Sequence, residues 1–352
     1  MKSAFWRSLA VVAILAAPMS ATAYDASIGS EVANSAMDGA TLMNTTAIFN
    51  AFPHLVVMNG NGVELNVDSG SGNGKVWYEG YNDTWFNMTV GRSDLGLQGT
   101  NFMWGGNTFM PFVTPELFFT GTNNGVSPFT DAMWVNFGIA KPLTSGAWAA
   151  NIQFALGKNT DEDTAAGTED TNDTNGFGAQ VSWGNGDGLH LSGEFAMQSD
   201  KAETAGTTDY DASVMDFGVN GRYDTDTYIY QGSFVYINGT NDVPDGAGGT
   251  VENSASAFGF LASAGRFIKN EADGQATVEF GLNWLSSSAD PGDSAQEFTS
   301  SSFAVPTVKV AAWQQISDRF GLMGGVDFFY AIQTQEDKGD EEKFSDSFSD
   351  YS

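Results

Sequence analysis

Apolar and polar residues alternate one by one along several stretches of the chain. From Ala276 to Trp284 every second side chain is apolar, and the residues between them are Thr, Glu, Gly and Asn. A period of two places the two sets on opposite faces of a β-strand. Similar runs cover Trp148–Leu156, Phe177–Trp183 and Met215–Tyr223. Each run lasts roughly 10 residues, which is the length of a tilted strand that crosses a bilayer.

The breaks between such runs predict a series of strands joined by connections of alternating length. The predicted strands are Ala132–Leu143, Gly146–Lys158, Gly176–Asn185, Gly188–Ser199, Ser213–Asp224, Thr227–Gly239, Ala255–Lys269, Gly274–Ser286, Phe303–Ser317 and Phe320–Gln333. Short turns are predicted at Thr144–Ser145, Gly184–Gly188, Asp224–Thr227, Asn270–Gly274 and Ser317–Arg319. Long polar loops are predicted at Asn159–Asn175, Asp200–Ala212, Thr240–Ser254 and Ser287–Ser302. Tight turns at one end and long loops at the other are typical of an outer-membrane barrel.

The stretch before Ala132 is less regular. Val56–Met58 and Gly62–Val67 flank an Asn-Gly turn sequence, which predicts a hairpin. Lys75–Tyr81 and Trp85–Gly91 predict a second strand pair. Residues 93–131 are rich in Gly, Phe and Pro, and they fit either an outer loop folded into the lumen or an irregular strand pair.

Composition narrows the class of protein. The chain has 42 Gly, 13% aromatic residues and only 16% charged residues, which suits closed β-structure with packed or membranous surroundings on both faces. It has no Cys, so disulfides and thiolate metal sites are excluded. A formal charge of −29 repels nucleic acid, so we expect no nucleic-acid partner.

The first residues form a secretory signal. Lys2 and Arg7 precede a short apolar core, and Ala21–Ala23 is an A-x-A cleavage site. We therefore expect residues 1–23 to be removed after export. We also expect the mature chain to reside in the outer membrane with lipid around it.

Two features favour a membrane barrel over a soluble β-protein. The polar face of the predicted strands is rich in small residues and poor in Lys and Glu, whereas a soluble surface carries more charge. Aromatic residues sit near the strand ends, where amphipathic rings suit the membrane interfaces. These aromatics are Trp148, Trp183, Tyr223, Tyr228, Trp284, Trp313 and Tyr330.

From about Leu55 to Gln333 the chain therefore resembles the porin-like outer-membrane β-barrels of Gram-negative bacteria. Residues 33–52 (ANSAMDGATLMNTTAIFNAF) are also faintly similar to the N-terminal stretch of FadL-type transporters of hydrophobic compounds. That family typically has Asn-Pro-Ala there, and this chain has Asn44-Thr45-Thr46-Ala47 instead.

The predicted fold class is all-β, an antiparallel transmembrane β-barrel of about 14 or more strands. The predicted organisation is a signal peptide (1–23), an N-terminal periplasmic or lumenal segment (24–53), the barrel (54–335) and an acidic loop or tail (336–352). Since Phe320–Gln333 would run outward and barrels need an even strand number, we expect the last strand or strands to be missing from a truncated chain. The alternative is a free acidic tail.

Candidate chemistry is sparse. Of the two His, His54 follows Pro53 at the predicted start of a strand and is expected at the interface or in the lumen. His190 shares a strand face with Ser192 and Glu194, which fits either a hydrolytic dyad or a polar lumen lining. We favour the lining and expect neither an enzyme nor a cofactor. The acidic loops could hold surface Ca²⁺, although no loop matches a calcium-binding motif.

The inward faces of the predicted strands carry an excess of acidic groups, and the lining of an open lumen sets what passes. The residues predicted to line it are Glu194, Asp216, Arg222, Glu279, Lys309 and Asp327. They predict a passive channel for small hydrophilic solutes with a modest cation preference. The alternatives are a FadL-type transporter and a structural or adhesive surface barrel. A homo-oligomer is left open, by analogy with porin-like trimers.

Overall fold

A computed structural model of the chain describes residues 51–58, 61–67, 72–93, 132–163, 168–204, 207–244, 249–271, 274–290, 298–317, 320–337 and 343–351. It contains a short 3₁₀ helix, η1 (Pro53–Met58), followed by strands. The strands are β1 (Gly62–Val67), β2 (Gly72–Glu79), β3 (Trp85–Ser93), β4 (Ala132–Leu143), β5 (Gly146–Asp163), β6 (Thr168–Asn185), β7 (Leu189–Thr204), β8 (Thr207–Asp224), β9 (Tyr228–Pro244), β10 (Thr250–Glu271), β11 (Gly274–Asp290), β12 (Phe298–Ser317), β13 (Phe320–Asp337) and β14 (Lys343–Tyr351).

The strands form one antiparallel sheet of 14 strands in which each strand pairs with its neighbours in sequence. This up-and-down order confirms the predicted fold class. Among the described residues no ladder joins β1 to β14. β14 pairs only with Phe328–Glu336, the loop-side half of β13.

The two faces of the sheet differ in an unusual way. On β8 the polar Asp216 is 3% exposed, whereas its neighbour Phe217, which points the other way, is 45% exposed. The same inversion runs across β4–β11, where the exposed face carries large apolar side chains and the buried face carries mostly polar or small ones. The buried apolar exceptions on β8 and β9 are Val214, Ile229, Val235 and Ile237. We call the buried side the inner face and the exposed side the outer face. In water this arrangement would leave the apolar area unburied, so the outer face requires an apolar solvent.

The apolar part of the outer face is a band of limited height. On β8 it extends from Met215 to Tyr223, and on β9 from Tyr228 to Tyr236. Nine residues span about 27 Å along a strand at ~3.4 Å per residue, which becomes about 20 Å once the usual tilt is included, near the ~25 Å apolar band of membrane barrels. Aromatic rings mark both edges, and the ring of Phe258 packs edge-on against Trp284 at 4.9 Å between centroids.

The predicted turn ends of the strands are confirmed, but most of the predicted long loops are wrong. β5 continues to Asp163 and β6 begins at Thr168, so most of the predicted loop 159–175 is paired strand. The other three long loops are likewise shortened by strand extensions. Beyond the apolar band both faces are polar, and alternation of hydrophobicity disappears although backbone pairing continues.

Two further expectations near the chain ends need correction. Val56–Met58 belongs to η1 and not to a strand, so the hairpin predicted there is wrong, whereas the second predicted pair forms β2 and β3. Within the predicted acidic tail, Lys343–Tyr351 forms β14, which pairs with Phe328–Glu336 of β13. The signal peptide and residues 94–131 lie outside the described residues.

The short turns depend on residues that tolerate positive φ. Gly146 and Gly188 have φ of 134° and 89°, and a Cβ at Gly188 would lie 2.1 Å from the carbonyl oxygen of Asp224. Asn82 and Asp83 adopt φ of 65° and 55° in the turn between β2 and β3, a conformation that Asn and Asp accept more readily than other side chains.

Candidate functional site on the inner face

The described part of the N-terminal segment lies on the inner face of the sheet. η1 packs on β3–β6 close to the short turns. Its apolar side chains form a buried cluster with residues of the wall, and the members of this cluster are Phe52, Leu55, Val56, Trp77, Trp85, Ala140 and Ala149. η1 therefore occupies space inside the sheet at the short-turn end.

His54 attaches η1 to the wall through polar contacts. Its backbone N–H donates to Ser182 Oγ at 3.1 Å, and its Nδ1 lies 3.0 Å from the same oxygen. Its Nε2 lies 3.0 Å from Nδ1 of His190, and the two rings stack with 5.2 Å between centroids. The side chain is fully buried. We call Ser182, His54 and His190 the histidine clamp.

The clamp continues towards a charged pair at the end of β8. Nε2 of His190 lies 3.9 Å from Oδ2 of Asp224, and Arg222 Nε donates to Oδ1 of Asp224 at 2.6 Å. Because the Asp224 carboxylate can only accept, it favours a proton on Nε2 of His190. Nδ1 of His190 then accepts from Nε2–H of His54, and Nδ1 of His54 accepts from the Ser182 hydroxyl. One set of neutral tautomers therefore satisfies every contact of the clamp.

Burial keeps the clamp neutral. Desolvation, and secondly the adjacent His190, lower the pKa of His54 from 6.5 to about 3. A second proton on His54 would go to Nδ1, which then could no longer accept from the Ser182 hydroxyl, so protonation breaks this contact of the clamp. The phenyl ring of Phe52 contacts both imidazoles and shields them from solvent.

Gly184 makes room for the clamp. A Cβ at this position would lie 2.3 Å from Nε2 of His54 and 2.6 Å from Nδ1 of His190. Gly184 pairs with His190 across β6 and β7, so the absence of its side chain lets the two imidazoles meet over the strand.

A second polar cluster adjoins η1. Gln180 Nε2 contacts the backbone oxygen of Ala51 at 3.3 Å and Glu194 Oε2 at 3.4 Å. Asn220 Nδ2 donates to Glu194 Oε1 and to Ser192 Oγ, each at 3.3 Å. The buried carboxylate of Glu194 is thus held by two amides rather than by a basic residue.

Four of the predicted lining residues lie on the inner face. Glu194, Asp216, Arg222 and Glu279 are all buried there. Lys309 on β12 is the backbone partner of Glu279 on β11 and of Asp327 on β13, which gives an acid–base–acid row in the register. Arg222 lies with the clamp at the short-turn end, whereas Asp216 lies further along the strand.

Sequence reasoning missed the partners of His190. Ser192 and Glu194 do share its face, but its close contact is His54, more than a hundred residues earlier in the chain. The signal was present in the topology, since β6–β7 turn near His190 and His54 immediately precedes β1 at the same end. No alternation pattern predicts that a segment before the first strand folds inward.

Among the described residues no group of three or more His, Asp or Glu is placed to hold a metal ion. No helix in the described part of the chain is long and apolar enough to cross a bilayer. The histidine clamp itself is an intramolecular contact between η1 and the sheet.

No protein-family model and no curated protein sequence matches this chain. Among solved structures it is similar to OmpT, an outer membrane protein of Vibrio cholerae, with 11% identity and a TM-score of 0.36 over 82% of this chain and 91% of that one. It is similar to the β-domain of the Bordetella autotransporter Brka, with 10% identity and a TM-score of 0.32 over 63% of this chain and 89% of that one.

A third similar structure is the siderophore receptor PiuA from Acinetobacter baumannii, with 8% identity and a TM-score of 0.35. The match covers 81% of this chain and 61% of that one. Likenesses of this size carry no argument about function. The faces and strand order of the chain define its class: it has the fold of outer-membrane β-barrels. A likeness to FadL-type transporters is not shown, and residues 33–50 lie outside the described part.

Proposed function

We propose that the chain is a narrow outer-membrane channel for small hydrophilic solutes with a modest cation preference. The observation that carries this proposal is a polar inner face with several buried acidic side chains, of which Glu194 is held by amides. Arg222 is engaged by Asp224. Negative groups on a lumen wall attract cations and repel anions.

The size limit of the channel comes from η1. It fills part of the inner face beside β3–β6, near the short turns. We therefore expect passage of small solutes and ions only.

Planar-bilayer recordings under a salt gradient test this proposal. We expect the wild type to give a reversal potential whose sign shows cation selectivity. The double variant Glu194→Gln, Asp216→Asn is expected to give a clearly smaller reversal potential. The matched control is Asp226→Asn, an exposed carboxylate in the turn between β8 and β9. Anion selectivity of the wild type contradicts the proposal.

A structural or adhesive barrel is the second candidate. It is favoured by the depth of burial on the inner face, where Gln180 and Glu279 are each 1% exposed. A wall without access to water conducts nothing. In a liposome-swelling assay, a channel gives swelling with small sugars, and a structural barrel leaves the vesicles unchanged although the protein is inserted.

The proposal treats the chain as a non-enzyme. Ser182 and His54 are within contact of each other, but they are 5% and 0% exposed, so no substrate can reach the hydroxyl. Ester hydrolysis that the wild type catalyses and that Ser182→Ala abolishes would contradict this.

Surface Ca²⁺ stays a prediction. The register of β5 and β6 places Asp161 opposite Asp170 and Glu162 opposite Glu169. Like charges directly opposite each other destabilise a strand pair. Ca²⁺-dependent protection of this hairpin from proteolysis would support the prediction, and equal cleavage with and without Ca²⁺ would contradict it.

A further inference from the structure

The inner face contains a small hollow beside Asp216. Small residues create it, because β6 carries Gly176 and Gly178 where its neighbours carry side chains, and β5 and β7 add Ala155 and Ala196. A Cβ at Gly176 would lie 3.0 Å from Cβ of Ala155, so a side chain there would narrow the space. The cavity volume of about 10 Å³ suits one water-sized particle.

Two polar atoms that border this hollow have no hydrogen-bond partner among the described residues. They are Asp216 Oδ1 and Gln198 Nε2, and both side chains are more than nine-tenths buried. A buried carboxylate oxygen without a partner is costly and needs a counter-charge, a proton or a water. Gln153 also borders the hollow and brings a second amide.

The charged residues near Asp216 leave room for a bound cation as its counter-charge. Glu194 and Asp216 lie diagonally opposite each other on β7 and β8 and are both buried, and the oxygens of Glu194 are occupied by Gln180 and Asn220. Arg222 lies on the same face of β8 but six residues away, about 20 Å along the strand, and is paired with Asp224. Arg222, the basic residue of β8, therefore does not neutralise Asp216.

We propose that this hollow binds one monovalent alkali cation between the Asp216 carboxylate and the side-chain amides of Gln198 and Gln153. Turning the Gln198 amide over exchanges its unpartnered nitrogen for an oxygen, which is a ligand for hard cations. Ca²⁺ is a poor fit because the lining supplies a single carboxylate, which balances one positive charge and not two. This site would account for the proposed cation preference of the channel. Cation binding at the site does not depend on the proposed function, and only its role in conduction does.

Cation-dependent stability of the full chain, refolded in detergent micelles, tests the site without requiring a conducting pore. We expect a higher thermal midpoint in NaCl or KCl than in N-methylglucamine chloride at equal ionic strength, because only a cation that binds the folded state stabilises it. We also expect broadening of the ²³Na NMR signal by the wild type.

Two variants separate site binding from general charge effects. Asp216→Asn keeps the shape, removes a buried charge without endangering the fold, and is expected to abolish both effects. Gly176→Ala retains the carboxylate but narrows the hollow and is expected to weaken both. The exposed Asp226→Asn is expected to behave as the wild type.

Two results for the wild type would together overturn the site: a thermal midpoint that is the same in all three chlorides, and a ²³Na signal that the protein does not broaden. A water or a proton would then remain as the partner of Asp216. Equal losses in Asp216→Asn and Asp226→Asn would overturn it in favour of surface charge. A bound cation in a barrel that does not conduct would uphold the site and contradict the channel, so the two proposals fail separately.

Discussion

At the scale of single residues, the inner face depends on small side chains in a few positions. Gly184 lies under two imidazoles, and Gly176 lies beside the hollow at Asp216. In a wall of alternating side chains, each glycine opens a space that a neighbour across the strand can use. The polar clusters of this protein form at such spaces.

Gly184→Ala is expected to displace the histidine clamp. The new methyl group would lie within 2.6 Å of both imidazoles, so η1 must shift or the ladder must bend. Overpacking of this kind costs about 1–3 kcal/mol. Urea unfolding in lipid vesicles measures the change. Gly221→Ala is the control, since its Cβ would lie 3.5 Å from Leu191 in ordinary contact, and equal stabilities of the two variants would contradict the clamp.

Acid is expected to weaken the clamp through His54. Its pKa is lowered to about 3 in the folded chain and is 6.5 without burial. The unfolded state therefore binds the proton first, and this contribution to stability is present above pH 6.5 and lost as the pH falls towards 3. The slope is at most about 1.4 kcal/mol per pH unit for one proton.

The measurement compares the unfolding midpoint of the wild type and of His54→Gln between pH 7 and pH 4. The groups facing His54 are His190 and the Ser182 hydroxyl, with Asp224 and Arg222 beyond His190. These remain in both proteins, so the difference between the two curves isolates His54. Parallel curves would show that its protonation does not oppose folding.

At the scale of elements, alternation predicted the strands only where the two faces differ. The short-turn ends of β5 and β6 agree with the prediction, because Trp148 and Trp183 lie at the edge of the apolar band there. At the other end the residues Asp161–Asp163 pair with Thr168–Asp170, and nothing in hydrophobicity distinguishes such a ladder from a loop.

Alternation also predicted only part of the candidate site, because it places residues of strands on a face but does not place a helix that packs against the sheet. Glu194 and Asp216 could be placed on the inner face because their apolar neighbours fix the period. η1 could not, because Pro53–Met58 is a short apolar stretch that fits a strand equally well. Its inward packing depends on contacts with β3–β6, which are distant in sequence.

The limits of the apolar band give a prediction for charge on the outer face. Val219 lies in the middle of the band on β8, and Ser213 lies beyond its edge. We expect Val219→Arg to lower the free energy of unfolding in vesicles by about 2–4 kcal/mol and Ser213→Arg by about 0–1 kcal/mol. Equal effects at the two positions would mean that lipid does not surround this strand.

At the scale of the whole molecule, the sheet is inverted relative to a soluble protein. One face buries mostly polar and small side chains, and the other exposes most of the large apolar and aromatic ones. The proposed channel, the position of η1 inside the sheet at the short-turn end and the cation site all depend on this orientation. If the outer face did not meet lipid, none of them would follow.

Since the chain has no Cys, single cysteines can be introduced along β8 without a background. The direct test attaches a fluorophore at each position from Met215 to Tyr223 in protein refolded into vesicles and measures quenching by a nitroxide on the lipid chains. The structure predicts strong quenching at 215, 217, 219, 221 and 223 and weak quenching at 216, 218, 220 and 222. Quenching without this alternation, or with the opposite phase, would contradict the orientation of the sheet.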